Sequence, residues 1–460
     1  MESRMKFSSI DKVEVLEPEL KGNIVSGSYR VDGDEVNLSF RYDFPVPLRE
    51  EDVRMMFLVP LVNYSLFIDE INADFPITAA DRDYLEKMMV INSREVYVNK
   101  ILRRKEFYRE EFIPKNPNNN EASFSPRLTF KISENRRAKF KGNGSIALLS
   151  SGGKDSLLSY GLMKEVGADV YPIYVNESGG HWRTASTAYE YMKRNTGNTL
   201  KVWTTIDRFY KKMNSKVKAL NDNALTMWSD TYPIQLFIFP VYIFSIVPYI
   251  VKFGMSTVMK GDEFDDPREF TLERDIKHYN GIYDQTQLFD VEMKKYFKEI
   301  GYDLDFYSPL RSITGLVEER ILFNRYPDLA RLQRSCHSCH IEGGEIYPCG
   351  KCSKCNGVLL FLLANSLDPT VINYKKEDVE DFVRTFRDRV YNLDKEEREH
   401  SMFLLSHGEW GRQNIHVEMI HQCEEFCDSK LIDEKWRDKL MEIFINYTKG
   451  KTHLENGKWI

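Results

Sequence analysis

The order of apolar and turn-forming segments predicts an α/β fold built on a doubly wound, mostly parallel sheet. From Ser145 onward, short β-patterned runs alternate with longer helix-patterned ones, the signature of βαβ units covered on both faces. Between an apolar run at 145–149 and a helix-patterned one at 157–165 stands Ser151-Gly152-Gly153-Lys154-Asp155-Ser156. Strand, glycine-rich turn and helix is the layout that aims backbone N–H groups and a helix N-terminus at an anion. Before residue 143 the pattern is different, β-rich or α+β, which predicts a separate N-terminal domain.

Within that domain, residues 1–143, Val36 to Phe44 alternates apolar and polar as a half-buried strand should. Asp32-Gly33 ahead of it, after the run Gly27 to Val31, predicts a hairpin. Leu48 to Ile68 turns apolar and aromatic, Ile77 to Glu110 is partly helical, and Pro114 to Ser125 is a linker. The second domain, 144–366, has expected strands at Ile146–Leu149, Val170–Val175, Leu200–Thr204 and Thr257–Lys260. Expected helices fall at Leu157–Glu165, Thr184–Arg194 and Pro233–Phe253. Ligands of such sheets bind beyond the carboxyl ends of the strands. That rule puts the glycine turn, Asn176–Arg183 and Gly261–Asp266 on one rim. Residues 367–460 read as a helical extension, with amphipathic helices at Val379–Tyr391 and Lys435–Tyr447.

The composition, 42% hydrophobic and 13% aromatic over 460 residues, suits packed cores in about two to three domains. Lys+Arg 64 against Asp+Glu 70 gives a net charge of −6, so no global basic field points to nucleic acid. The basic runs Arg103–Lys105 and Arg136–Lys141 lack aromatic interleaving and read as solvated surface. The uncharged stretch Thr231–Val251 is a membrane candidate by length. Its three prolines, an interior Gln235 and its place between sheet strands make it a buried helix instead. The N-terminus has no signal-peptide pattern, and clustered cysteines suit a reducing compartment, so the expected location is cytoplasmic.

Two adjacent glycines let the main chain approach phosphate closely. Ser151 and Ser156 add donors, and Asp155 suits Mg²⁺. After the later strand, Asp262, Glu263, Asp265 and Asp266 offer carboxylates to Mg²⁺ or to substrate; a solvated acidic loop is the alternative. Glu177 to Arg183, with His181 and Trp182, offers a pocket or a plain loop. Five of seven cysteines lie between Cys336 and Cys355. Cys349, Cys352 and Cys355 at two-residue spacing, joined by Cys339 or Cys336, suit the thiolate set of a tetrahedral Zn²⁺ site, with an iron–sulfur site or redox or sulfur-carrying thiols as the alternatives. Cys423 and Cys427, at helical spacing, read as ordinary buried residues.

The glycine turn resembles the SGGxDS loop of PP-loop ATP pyrophosphatases, which cleave ATP between the α and β phosphates. With the downstream cysteines the chain resembles the 7-cyano-7-deazaguanine synthase family, whose Ser-Cys and Cys-Gly-x-Cys-x-x-Cys match Ser338-Cys339 and Cys349 to Cys355. On that resemblance Cys339 is the fourth zinc ligand. That family's Tyr-Pro-Asp-Cys-Arg loop is absent; Gly261 to Pro267 stands in its place. The muramoyl-peptide L-glutamate epimerase family is similar over roughly residues 56 to 366. Leu61-Val62-Asn63-Tyr64-Ser65, Glu106 to Arg109, Phe306 to Arg311 and Cys352 to Ala364 carry that likeness.

Both resemblances imply adenylation of a small-molecule or peptide carboxylate by ATP and Mg²⁺, releasing AMP and pyrophosphate. They imply catalytic roles for Lys154, Asp155 and Ser156. Cofactor contacts are implied from Ser151, Gly152, Gly153, Lys154, Asp155, Ser156, Asp262 and Glu263. Alternatives are a glutamate epimerase, a tRNA sulfur-insertion enzyme, and a nucleotide-sensing protein that docks partners through its N-terminal domain or C-terminal helices. A homodimer is compatible with each.

Overall fold

The computed structural model describes residues 6–47, 49–133, 139–177, 179–226, 232–264, 270–272, 276–279, 282–422 and 431–460. Asp265, Asp266, Arg136, Cys423 and Cys427 lie outside the described residues. The chain is α/β, as its segment order predicts. Residues 1–143, 201–256 and 268–305 form one compact unit; residues 144–200, 257–267 and 306–460 form another.

In the first unit the strands are β1 (Ile10–Val15), β2 (Glu19–Lys21), β3 (Ile24–Val31), β4 (Asp34–Tyr42), β5 (Ile68–Thr78) and β6 (Arg127–Ser133). The expected hairpin is β3–β4, paired antiparallel from Val31↔Asp34 to Ile24↔Arg41. Asp32 (φ 48°) and Gly33 (φ 90°) both take the left-handed conformation that a two-residue hairpin turn needs. Val36, Leu38, Phe40 and Tyr42 alternate into the core. β1 pairs antiparallel with β3 and parallel with β5, and β6 runs parallel to β5. This sheet is therefore mixed.

The uncharged stretch forms the buried helix Phe239–Phe253, closed by left-handed Gly254. It begins at Phe239 rather than Pro233 for a local reason. Asn63 Oδ1 accepts from the N–H groups of Leu236 and Phe237 (3.0 and 2.8 Å), and Asp284 Oδ2 accepts from those of Ile238 and Phe239 (2.8 and 2.9 Å). Side-chain acceptors hold the 236–238 backbone in place of a helical ladder. No helix among the described residues is long and apolar enough to cross a membrane.

In the second unit, strand Ser145–Ser150 pairs parallel with Val170–Asn176 in the register Ile146↔Val170. Its other neighbour is Met255–Met259, followed by Asp305–Tyr307. Helices Lys154–Glu165 and Gly179–Asn195 follow the first two strands. Leu157, Leu158, Leu162, Ala188 and Tyr189 pack against Leu148, Val170 and Tyr174 in one core. The C-terminal segment has the expected helices, as Lys376–Thr385 and Glu434–Ile445 with Lys395–Leu405 between them. It also carries a small sheet that the charge pattern did not announce: Ile420–Gln422 runs parallel to Lys451–Glu455, which pairs antiparallel with Lys458–Trp459.

Candidate functional site

Strand Ser145–Ser150 is buried from Ser145 to Leu149, as a strand covered on both faces should be. It delivers the chain to Ser151, and the next helix begins at Lys154. Gly152 has φ +78°, and a Cβ there would lie 3.2 Å from both Ala185 Cα and Ala188 Cβ. Conformation and space both call for glycine. Ser156 Oγ accepts from Ser151 N (3.3 Å) and donates to Gly153 O (3.2 Å), closing the turn on itself. Gly153 at the N-cap position brings no capping side chain. The first-turn N–H groups therefore point out of the helix end without an intrahelical partner.

Beyond strand Met255–Met259 the chain passes directly against this turn. A Cβ on Gly261 would fall 2.7 Å from the Asp155 carbonyl carbon and 2.8 Å from Asp155 Cβ. The close approach brings Glu263 beside Lys154, while helix Gly315–Arg325 presents Glu318 in its first turn. Lys154 Nζ donates to Glu263 Oε2 and Glu318 Oε2, each at 2.7 Å, and to Asp155 Oδ1. Asp155, Glu263 and Glu318 each place an oxygen within 4.8 Å of the others. Hard carboxyl oxygens so grouped could hold a divalent cation.

The electrostatics follow from that crowding. Burial alone would push the Lys154 ammonium down, but Asp155, Glu263 and Glu318 outweigh it and hold its pKa well above the usual lysine value. Burial also works to raise Asp155, yet Lys154 beside it keeps that carboxyl low. Fully buried Glu318 is driven well up by burial, then by Asp155 and Glu263. Burial raises Glu319 to about 7, opposed by Gln333, whose Nε2 donates to Glu319 Oε1 at 2.7 Å. Burial and then Glu263 raise Glu397 to about 8. Glu397 Oε1 accepts from Leu316 N (3.1 Å), and a Cβ on Gly315 would fall 2.5 Å from Glu263 Oε2 and 3.3 Å from Glu397 Oε1.

Asp262 is committed differently. Its Oδ2 pairs with Lys260 Nζ at 2.9 Å and with Arg311 Nη2 at 3.1 Å, all three groups being nearly inaccessible. Its N–H donates to Ser308 Oγ (3.0 Å), and that hydroxyl lies 2.6 Å from the Asp262 carbonyl oxygen. Expected beside Glu263 as a phosphate or cation ligand, it ties two loops together.

The cysteines form a second centre in this unit. Cys336, Cys349, Cys352 and Cys355 bring four Sγ atoms within 4.8 Å of one another. Cys336 and Cys352 are 3.8 Å apart, as are Cys349 and Cys355. The N–H groups of Cys349, Cys352 and Cys355 donate to the sulfurs of Cys336, Cys349 and Cys352, each at 3.4 Å. Donors aimed at sulfur stabilise thiolates, and the set could hold zinc. The fourth thiol is thus Cys336 rather than Cys339. Cys339 N donates to Cys336 O at 3.1 Å in a tight turn, and buried Cys339 lies outside the group.

No family model matches the chain, and no curated protein matches it. The site is therefore read from its own residues. Ser151 to Ser156 and Glu263 come together as the rim argument expects. The segment after Val170–Asn176 meets the cysteine region: the His181 and His337 rings pack at 4.0 Å between centroids, tilted by 39°, and a Cβ on Gly180 would lie 2.6 Å from His337 O. Glu319, Glu397 and the placement of Glu318 were missed. Thr314-Gly315 followed by paired acids is a readable helix-start signal for Glu318 and Glu319. Glu397 gave none, being one acid on a helix that reads as charged surface.

Proposed function

We propose that the chain is an ATP-dependent enzyme that forms AMP and pyrophosphate while converting a substrate carboxylate to its adenylate. The observation that carries this reading is the pairing of an uncapped glycine turn at a helix N-terminus with a lysine set among three carboxylates. The N–H groups of the turn would bind the β and γ phosphates. Asp155, Glu263 and Glu318 would hold Mg²⁺, which when bound neutralises charge on the leaving pyrophosphate. Lys154 supplies positive charge to the same phosphate oxygens. Glu397, raised to about 8, stays mostly protonated near neutral pH, and Glu319, raised to about 7, is only partly ionised there, so both limit the repulsion a polyphosphate meets. The substrate carboxylate attacks the α phosphorus, the α–β bridge breaks, and pyrophosphate departs.

In this reading the four grouped thiolates hold Zn²⁺ as a structural centre. Sulfur insertion is disfavoured because the remaining cysteine of the region, Cys339, is 3% exposed, and a sulfur-carrying thiol must be accessible.

The test is pyrophosphate release from ATP across a panel of small and peptide carboxylates and tRNA. Turnover with one carboxylate, abolished by Asp155→Ala while the circular dichroism spectrum is kept, is the expected result. Release of ADP and phosphate would overturn the assignment. Nucleotide binding without hydrolysis against the whole panel would favour a sensor.

A further inference from the structure

Four consecutive residues, Gln333 to Cys336, run between the two centres of the second unit. Gln333 Nε2 donates to Glu319 Oε1 at 2.7 Å, on the helix that also carries Glu318. Arg334 N donates to the carbonyl oxygen of Gly152 at 3.0 Å, in the glycine turn itself. Ser335 Oγ lies 4.0 Å from the position a Cβ would take on Gly153, and no hydrogen bond occupies this half-buried hydroxyl among the described residues. Cys336 is the fourth thiol of the sulfur group. The Arg334 guanidinium does not reach toward the turn. It is held by the carbonyl oxygens of Ile346, Arg331 and Gln333 at 3.1, 3.1 and 2.7 Å, and the first of these pins the strap to the antiparallel hairpin of His340–Glu342 and Glu345–Tyr347.

We propose that residues 333–336 are a positioning strap through which metal at Cys336 fixes the glycine turn, and that Ser335 Oγ is a further donor to the anion bound there. A turn with two adjacent glycines loses much conformational freedom on ordering. A backbone hydrogen bond anchored two positions from Cys336 and one position from Gln333, which holds a site acid, restricts it before any ligand arrives. Pre-ordering of this kind raises affinity by lowering the entropy lost on binding. The strap claim stands on ligand-free contacts; the donor claim rests on the phosphate-binding reading above.

Two measurements on the full chain separate the claims. Hydrogen exchange of residues 151–157 is followed with and without a zinc chelator, and in Cys336→Ser and Cys339→Ser, with helix Glu434–Ile445 as the internal control for global unfolding. Faster exchange in the turn after chelation and in Cys336→Ser, with the control helix unchanged and Cys339→Ser like the parent, is expected. Unchanged exchange in the turn when metal is lost overturns the strap. If metal loss unfolds the whole unit, Gln333→Ala, which cuts the link to Glu319 and leaves every thiol in place, decides: it should speed exchange in the turn, and no change overturns the strap.

The second measurement titrates ATP·Mg²⁺ calorimetrically. Ser335→Ala should weaken binding about tenfold, the scale of one hydrogen bond to a charged group, with zinc content unchanged, and Ser335→Thr should restore it. Equal affinity in Ser335→Ala overturns the donor role. A parent protein that binds no nucleotide overturns the phosphate-binding reading and the donor role together, leaving the strap to the exchange result.

Discussion

Asp262 and Glu263 are neighbours in sequence with opposite electrostatic settings. Asp262 pairs with two cations, Lys260 and Arg311, both close to fully buried. Glu263 is one of three carboxylates sharing a single ammonium, Lys154, and its side chain is 43% exposed. The first arrangement sets buried cations against a buried carboxylate. The second has more anionic groups than cations and an open side, which is what a site that takes a cation and a polyphosphate needs. The difference separates a residue that holds the loop from one that, under the proposed function, serves the chemistry, although both are acids after the same strand.

The sharpest way to break this contrast is to remove Asp262. Asp262→Ala removes a carboxylate that buried Lys260 and Arg311 share, and taking one partner from a buried ion pair costs about 3–5 kcal/mol. Urea denaturation should show a loss of that order. A loss under about 1 kcal/mol, the range of exposed ion pairs, would mean that Asp262 is not the structural member of the pair.

Gly261→Ala comes next. The added methyl would meet Asp155 backbone at 2.7 Å and Asp155 Cβ at 2.8 Å, and backbone cannot yield as a flexible side chain would. Overpacking of this kind costs about 1–3 kcal/mol. Because the clash pushes Asp155 rather than a core side chain, ATP-dependent turnover should fall further than stability does. A variant with parent stability and turnover would show that the close approach is unnecessary.

The pH dependence sharpens the same comparison. Glu319 and Glu397 are raised to about 7 and about 8 in the folded chain, chiefly by burial. Between the unfolded value near 4.5 and these folded values, the unfolded state releases protons that the folded state keeps, so stability falls as pH rises through this window. Glu418 acts in the opposite sense. Burial works against ionisation, but hydrogen bonds from His400, Lys449 and Arg320 hold it at about 2, so its contribution is present above about 4.5 and is lost as pH falls toward 2. Melting temperature should decline from about pH 5 to 8, and Glu319→Gln with Glu397→Gln should flatten the decline. A decline of the same slope in the double variant would place its origin elsewhere.

What could be read in advance was local. The β3–β4 turn is fixed by Asp32-Gly33, and the glycine turn by its flanking strand and helix, because each depends on residues a few positions apart. The fourth thiol was not local: Ser-Cys occurs at both Ser335-Cys336 and Ser338-Cys339, and the turn closed by Cys339 N on Cys336 O decides which sulfur joins the group. Glu397 reaches Leu316 across 81 positions. In the first unit, Tyr64 hydrogen-bonds Asn214 across 150 positions and Gln235 across 171. Such buried polar networks define which segments belong together, and no period or propensity announces them.

The smallest expected effect on stability is the most informative about function. Glu263→Gln keeps the side-chain volume and removes one of three carboxylates from Lys154, which retains Asp155 and Glu318 as partners. Relief of repulsion among like charges offsets the lost ion pair, and a group this exposed is largely screened by solvent. Stability should stay within about 0.5 kcal/mol of the parent, as for surface substitutions generally. Pyrophosphate release should nevertheless fall about 100-fold or more, the scale on which losing one preorganised electrostatic group acts. Divalent-cation affinity, read by calorimetry, should fall with it. If Glu263→Gln lost stability while keeping turnover, Glu263 would be a structural acid like Asp262, and the excess of carboxylates around Lys154 would no longer mark a catalytic centre.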